Sequence, residues 1–187
     1  MLNIENIENE LAQILKKSRY KHTIGVMYTA GSIAMRYGEN IETAMLAGLL
    51  HDCGKYCSED EQIALCKEYG IVLTDHELEA PALIHAKLGA YFAKEKYHVE
   101  DEAIQNAILY HTTGRPDMSM LEKIIYLADY IEPNRKQIPG LSEIRSMTFI
   151  DIDEAVRLCA ENTLNYLREN GRPVNPMTQY THKFYAK

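Results

Sequence analysis

The chain has 187 residues, with 27 acidic against 20 basic side chains and a formal net charge of -7. A chain of this length folding as one globule buries roughly 70% of its unfolded surface, so it needs no staples to hold a core. The acidic balance, with no cluster of Lys and Arg, excludes a partner held by general attraction to a phosphate backbone, and no nucleic-acid partner is expected. A small anionic substrate stays open, because a bound metal reverses the local field.

The four cysteines, Cys53, Cys57, Cys66 and Cys159, form no CxxC pair. Neither an apolar leader nor a long uncharged run opens the chain. A reduced, cytoplasmic protein without a membrane partner is expected.

Apolar residues recur at i, i+3, i+4 and i+7, the spacing of one helix face, and strict alternation is rare, which predicts an all-α fold. In chain order the helices are expected over residues 3–17, 20–37, 41–52, 59–68, 81–97, 101–111, 119–132 and 151–169. Turn chemistry separates them at Gly38-Glu39-Asn40, Cys53-Gly54-Lys55, Thr113-Gly114-Arg115-Pro116 and Glu132-Pro133-Asn134. The stretch Gly171 to Pro176 stops the last long helix and leaves a tail ending at Tyr180 to Tyr185. No linker, repeat or low-complexity tract divides residues 1–187, which read as one domain.

Ionisable residues interrupt the apolar stripes. His22 shares a stripe with Val26, Thr29 and Ile33. The third helix, Thr43 to Leu50, is apolar almost all round, so it is expected to be central, and it runs directly into His51-Asp52. His85 shares a face with Gly89 and Phe92, and His111 follows Ile104 and Ile108. Asp129 lies four residues after Ile125 on the stripe of Leu121, Ile124 and Ala128, which predicts a nearly buried carboxylate. An unpaired buried charge costs several kcal/mol, so such a group needs a partner. One inward histidine is ordinarily a hydrogen-bonded core residue; four, with two aspartates, point to a metal. Imidazole with carboxylate suits iron, zinc, manganese, cobalt or nickel and leaves positions open to water or substrate. His76 and His98 are expected to face solvent, and His182 is left undecided. The eight methionines read as core filler.

His51-Asp52 followed by Gly54-Lys55, with His22 upstream and Asp129 downstream, resembles the doublet that names the HD phosphohydrolases. Arg19-Tyr-Lys-His22-Thr-Ile-Gly-Val26, Ile84-His85 with Gly89-Ala90, His111-Thr-Thr-Gly-Arg115 and Ala128-Asp129-Tyr-Ile-Glu-Pro-Asn-Arg135 are similar to the YqeK-type bacterial family of symmetrical diadenosine tetraphosphate hydrolases. The resemblance runs from about residue 10 to about residue 176.

It implies an HD-domain helical bundle in which the central buried helix carries the doublet. His22, His51, Asp52 and Asp129 would hold iron, with one or two ions and Mn, Co, Ni or Zn as substitutes. His85 and His111 would reach a second metal or the substrate phosphates. Thr112, Thr113, Gly114, Arg115, Arg135 and the run Arg172-Pro173-Val174-Asn175-Pro176-Met177 would touch the nucleotide, and the products would be two ADP. Within that scheme Asp52 is expected to bridge two metals, with Lys55 as a point charge and Arg115 as a fork for phosphate oxygens. A homodimer fits the class. The competing readings are an HD hydrolase acting on mononucleotides and a non-catalytic nucleotide-binding regulator; ADP as sole product separates the first from the family activity, and tight binding without turnover marks the second.

Overall fold

A computed structural model describes residues 4–186, and every regular element among them is helical. The elements in order are α1 (Ile4–Ile14), α2 (Lys17–Tyr37), α3 (Ile41–Leu50), α4 (Glu59–Glu68), α5 (Asp75–Glu79), a 3-10 turn at Pro81–Leu83, α6 (Ile84–Glu95), α7 (Glu102–Tyr110), α8 (Met120–Ile131), α9 (Leu141–Thr148), α10 (Ile152–Glu169) and α11 (Pro176–Tyr185). The predicted start of the first helix at residue 3 lies outside the described residues.

Local chemistry sets most of the starts. Asn40, Ser58, Asp101, Ser119, Asp151 and Asn175 each accept a backbone N–H from the first turn that follows, which satisfies donors that a helix start leaves orphaned. Ser58 with Glu61 and Ser119 with Glu122 close full capping boxes.

Helix α3 is the hub, packed against α2, α7 and α8. Leu49 and Leu50 are wholly buried on it, and each such side chain contributes about 1.5–3 kcal/mol through burial. Gly48 lets α2 approach: a Cβ there would meet the Met27 Cα at 3.0 Å. Around this hub, α6 packs on α7, α7 on α8, and α9 and α10 close the far side of α8.

Three elements depart from the expectation. The short α5 and the eight-residue α9 fill stretches read as loop. The tail is no tail: residues 176–185 form α11, which packs along α10. Pro176 occupies its first turn and Asn175 caps it, so the proline begins a helix there as well as ending the preceding segment. His76 and His98 are exposed as expected, while His182 is half-buried on α11. All four cysteines are free; Cys53, Cys66 and Cys159 are buried and Cys57 is half-buried.

Candidate metal centre and active site

Five helices deliver the polar residues to one place. His22 comes from the second turn of α2, His51 caps the C-terminus of α3 and Asp52 follows it. His85 lies in the first turn of α6, His111 caps the C-terminus of α7, and Asp129 stands near the end of α8. Gly54 makes the turn after the doublet possible, since a Cβ there would sit 2.5 Å from the His85 carbonyl oxygen.

Every imidazole is oriented from behind. Nδ1 of His51 donates to the Gly48 carbonyl at 2.6 Å, that of His85 to Ala82 at 2.7 Å and that of His111 to Ile108 at 2.7 Å. His22 Nδ1 donates to the Glu132 carboxylate at 3.2 Å. A carbonyl can only accept, so the proton sits on Nδ1 and the Nε2 lone pair faces the centre. Metal-ligating histidines are held in this way.

Two groups of donors face one another across Asp52. On one side, His22 Nε2 lies 3.0 Å from Asp129 Oδ1 and 3.3 Å from His51 Nε2, with Asp52 Oδ2 at 3.7 Å and 3.4 Å from the two rings. On the other, His85 Nε2 and His111 Nε2 are 3.1 Å apart and lie 3.3 Å and 3.6 Å from Asp52 Oδ1. Ring nitrogens that each direct a lone pair at the other repel unless a cation lies between them. Asp52 Oδ1 is buried without a hydrogen bond among the described residues. Donor atoms of His22, His51 and Asp129, and of His51, Asp52 and His111, fall within 4.8 Å of one another in each group. Orphaned oxygen, converging lone pairs and donor chemistry all fit a divalent metal.

The electrostatics agree for His51 and His85, while at His22 burial is outweighed by Asp129, Asp52 and Glu132, which raise its pKa. Burial pushes His51 and His85 below the ordinary imidazole range, with the Lys55 charge adding to the effect on His85, so both stay neutral as ligands must. Burial opposes ionisation of Asp52, yet its contacts with the His51 ring and with the Lys55 ammonium outweigh it and hold the carboxyl far below its usual range. Asp129 behaves likewise: His22, His51 and Arg135 overcome the burial cost.

The centre opens on one side. The Asp52 and His85 side chains are 1% exposed, whereas Asp129 is 21% exposed, more open than its place on the apolar stripe predicts. It falls in the last turn of α8, at the mouth, where Arg135 stacks on Tyr130 beyond it. Lys55 Nζ stands 3.3 Å from Asp52 Oδ1.

Of the residues expected at the nucleotide, Arg115 is committed to a neighbour. Its Nε and Nη2 donate to the two oxygens of buried Glu122 at 2.7 Å and 2.9 Å, and its guanidinium lies over the Tyr110 ring. Gly114, at φ 62, presses on Thr181 of α11, and a Cβ there would come within 2.6 Å of it. Thr112 is half-buried and Thr113 buried in the same turn. In the C-terminal run, Arg172 and Pro173 are exposed, with Arg172 over the Tyr166 ring, while Val174, Asn175, Pro176 and Met177 are half-buried at the start of α11.

Three residues that carry no expected role from the sequence also lie here. Arg19 Nη1 donates to Asp52 Oδ2 at 2.8 Å. Glu132 holds His22 with Oε1 and takes the Asn134 backbone N–H at 2.6 Å with Oε2. Glu122 fixes Arg115. The signals were present: Arg19 is one turn from His22, Glu132 one turn from Asp129, and Ser119-x-x-Glu122 is a capping box.

Helices converging five ways on a buried set of histidines and aspartates define a helical metal-dependent hydrolase. The HD domain family model matches residues 19–134, more than half of the chain, and the chain belongs to that family. It is 41% identical over 184 residues to a Bacillus subtilis protein named bis(5'-nucleosyl)-tetraphosphatase, symmetrical, covering 96% of this chain and 97% of that one. A Halalkalibacterium halodurans protein of the same name is 42% identical over 168 residues, 90% of this chain and 89% of its own. The fold is that of a crystal structure from Clostridium acetobutylicum described as an HD superfamily hydrolase involved in NAD metabolism, with a TM-score of 0.94, 38% identity and coverage of 100% and 98%.

Proposed function

We propose that the chain is a metal-dependent bis(5'-nucleosyl)-tetraphosphatase that cleaves diadenosine tetraphosphate symmetrically into two ADP, within one HD domain over residues 1–187. The observation that carries the reading is the division of Asp52 between two donor groups, Oδ2 toward His22 and His51 and Oδ1 toward His85 and His111. Near-complete alignment with relatives of that name supports the substrate.

His22, His51, Asp52 and Asp129 would hold one ion, and Asp52, His85 and His111 a second or the phosphates beside it. Metal there supplies Lewis acidity and lowers the pKa of water toward neutrality. Iron is our assignment among the metals that accept these donors. Water attacks one of the two central phosphorus atoms, and the bond from that phosphorus to the bridging oxygen breaks. The departing oxygen becomes a terminal phosphate oxygen of ADP, whose second pKa is about 6, so it needs a cation beside it to neutralise its charge more than it needs a proton. Lys55 lies where it can supply that neutralisation. Arg115 keeps Nη1 for a phosphate oxygen while Glu122 holds the rest of its fork.

Thr112 to Gly114, Arg135 and Arg172 to Met177 form the nucleotide-facing edge in this reading. Four free cysteines and the small charged substrate support a cytoplasmic location in this reading; none of the described helices is long and apolar enough to cross a membrane. The test is anaerobic purification, elemental analysis of the metal and chromatography of the products. ADP alone, with one to two iron equivalents, is the expected result; ATP with AMP would refute symmetrical cleavage, and metal without turnover would leave a binding protein.

A further inference from the structure

Arg19 and Lys55 divide the oxygens of Asp52 between them. Arg19 Nη1 lies 2.8 Å from Oδ2 and Lys55 Nζ 3.3 Å from Oδ1. The carboxylate is 1% exposed, while the two cationic side chains are 36% and 28% exposed. Both therefore reach down from the mouth, and with Asp129 they form its charged rim. An anion arriving at a protein of net charge -7 meets its local positive charge here.

One carboxylate does not need two cations in addition to four imidazoles. Among the described residues, the Arg19 guanidinium makes a single hydrogen bond, the one to Asp52, although it carries five donors in a planar fork. The unspent donors belong to a half-exposed group beside the His22 and Asp129 end of the centre. Lys55 stands at the His85 and His111 end. Cleavage between two adjacent phosphates places charge on both, the attacked one and the departing one.

We infer that Arg19 is a further catalytic residue, donating to an oxygen of one central phosphate at the His22 end, as the counterpart of Lys55 at the other. The inference rests on the phosphohydrolase reading above, but its test is separable from it. Arg19→Ala and Arg19→Lys are prepared beside the parent protein, metal content is measured, ADP affinity is determined by calorimetry, and turnover of diadenosine tetraphosphate is followed. Arg19→Ala should keep its metal, bind ADP at least about tenfold more weakly, as loss of a charged hydrogen bond requires, and turn over about 100-fold more slowly or worse. Arg19→Lys should recover part of the loss in affinity, and guanidinium ion added to Arg19→Ala should restore part of the rate. Unchanged ADP affinity and turnover would overturn the inference. So would loss of metal from Arg19→Ala, which would reduce Arg19 to a support for Asp52. A parent protein that binds ADP but leaves the dinucleotide uncut would refute the proposed function, and the ADP affinities would still decide the role of Arg19.

Discussion

The Thr181 hydroxyl, on α11, lies 2.9 Å from the Thr113 carbonyl oxygen, a buried contact spanning 68 residues of sequence, and 2.9 Å from the Met177 carbonyl of its own helix, so its one proton is shared between the two. Tyr185 adds a second tie, its hydroxyl accepting the Met118 backbone N–H at 2.9 Å. The last helix thereby grips both ends of the turn that presents Arg115. Thr181→Val keeps the side-chain shape and leaves a buried acceptor unpaired, a cost of about 1–3 kcal/mol. The melting temperature should fall by about 2–4 °C per kcal/mol, and KM should rise at constant metal content. A melting temperature and KM equal to the parent's would show that α11 does not set this turn.

Asp129→Asn removes a charge and keeps the shape. The carboxylate is 3.0 Å from His22 Nε2 and is held ionised by its neighbours. Elemental analysis should show metal loss, with activity lower by orders of magnitude. Full metal and full turnover in this variant would remove Asp129 from the ligand set.

Glu132 acts one bond further out. Its Oε1 receives the His22 Nδ1 proton, and it is 1% exposed, so no solvent can take its place. Loss of such an outer partner commonly costs 10–100-fold in metal affinity or activity. Glu132→Gln should show a loss of about that size in a competition titration against a chelator, while the fold persists by circular dichroism.

The metal-free protein should weaken on mild acidification. His51 and His85 have folded pKa values below the ordinary 6.5, chiefly through burial. The unfolded chain therefore binds two protons that the folded one refuses. His22, raised chiefly by Asp129 against the effect of burial, works the other way, but one ring against two leaves stability falling as pH drops below about 6.5. Asp52 and Asp129 work in the same direction at lower pH: their depressed pKa values stabilise the fold fully above about 4, and that contribution drains away as pH falls further toward their folded values. Melting curves of chelated protein from pH 7.5 to 5 should descend, and His85→Gln should flatten part of the slope. A flat profile in the parent would contradict neutral burial of these rings.

The helices that carry the centre were legible because each displays two signals together. Ile104, Ile108 and His111, or Leu121, Ile125 and Asp129, combine helical spacing with an ionisable group that has no business on an apolar stripe. The centrality of α3 followed from residues 43–50 alone. What escaped is equally specific. In α9, Gly140 precedes the helix in a left-handed conformation, without a side-chain cap to announce the start. At α11, Pro173 and Pro176 read as stops, although the second opens the helix. Arg19 and Glu132 were visible as motif letters, but what they touch depends on how α2 meets the turn after α8 and the doublet, and spacing along one helix does not contain that. The exposure of Asp129 was missed for a related reason: an apolar stripe indicates which way a residue points but not whether the helix ends at an opening.

His51, His85 and His111 each find the carbonyl that aims them three residues back along their own chain, whereas His22 depends on Glu132, 110 residues away. Three of the rings thus carry their own gunsights, and substitutions that repack the distant core leave their aim intact. The fourth is aimed by tertiary assembly. Any loosening of the turn at residues 132–135 would therefore blunt the His22 side of the centre first, making the two halves unequal in their tolerance of sequence drift.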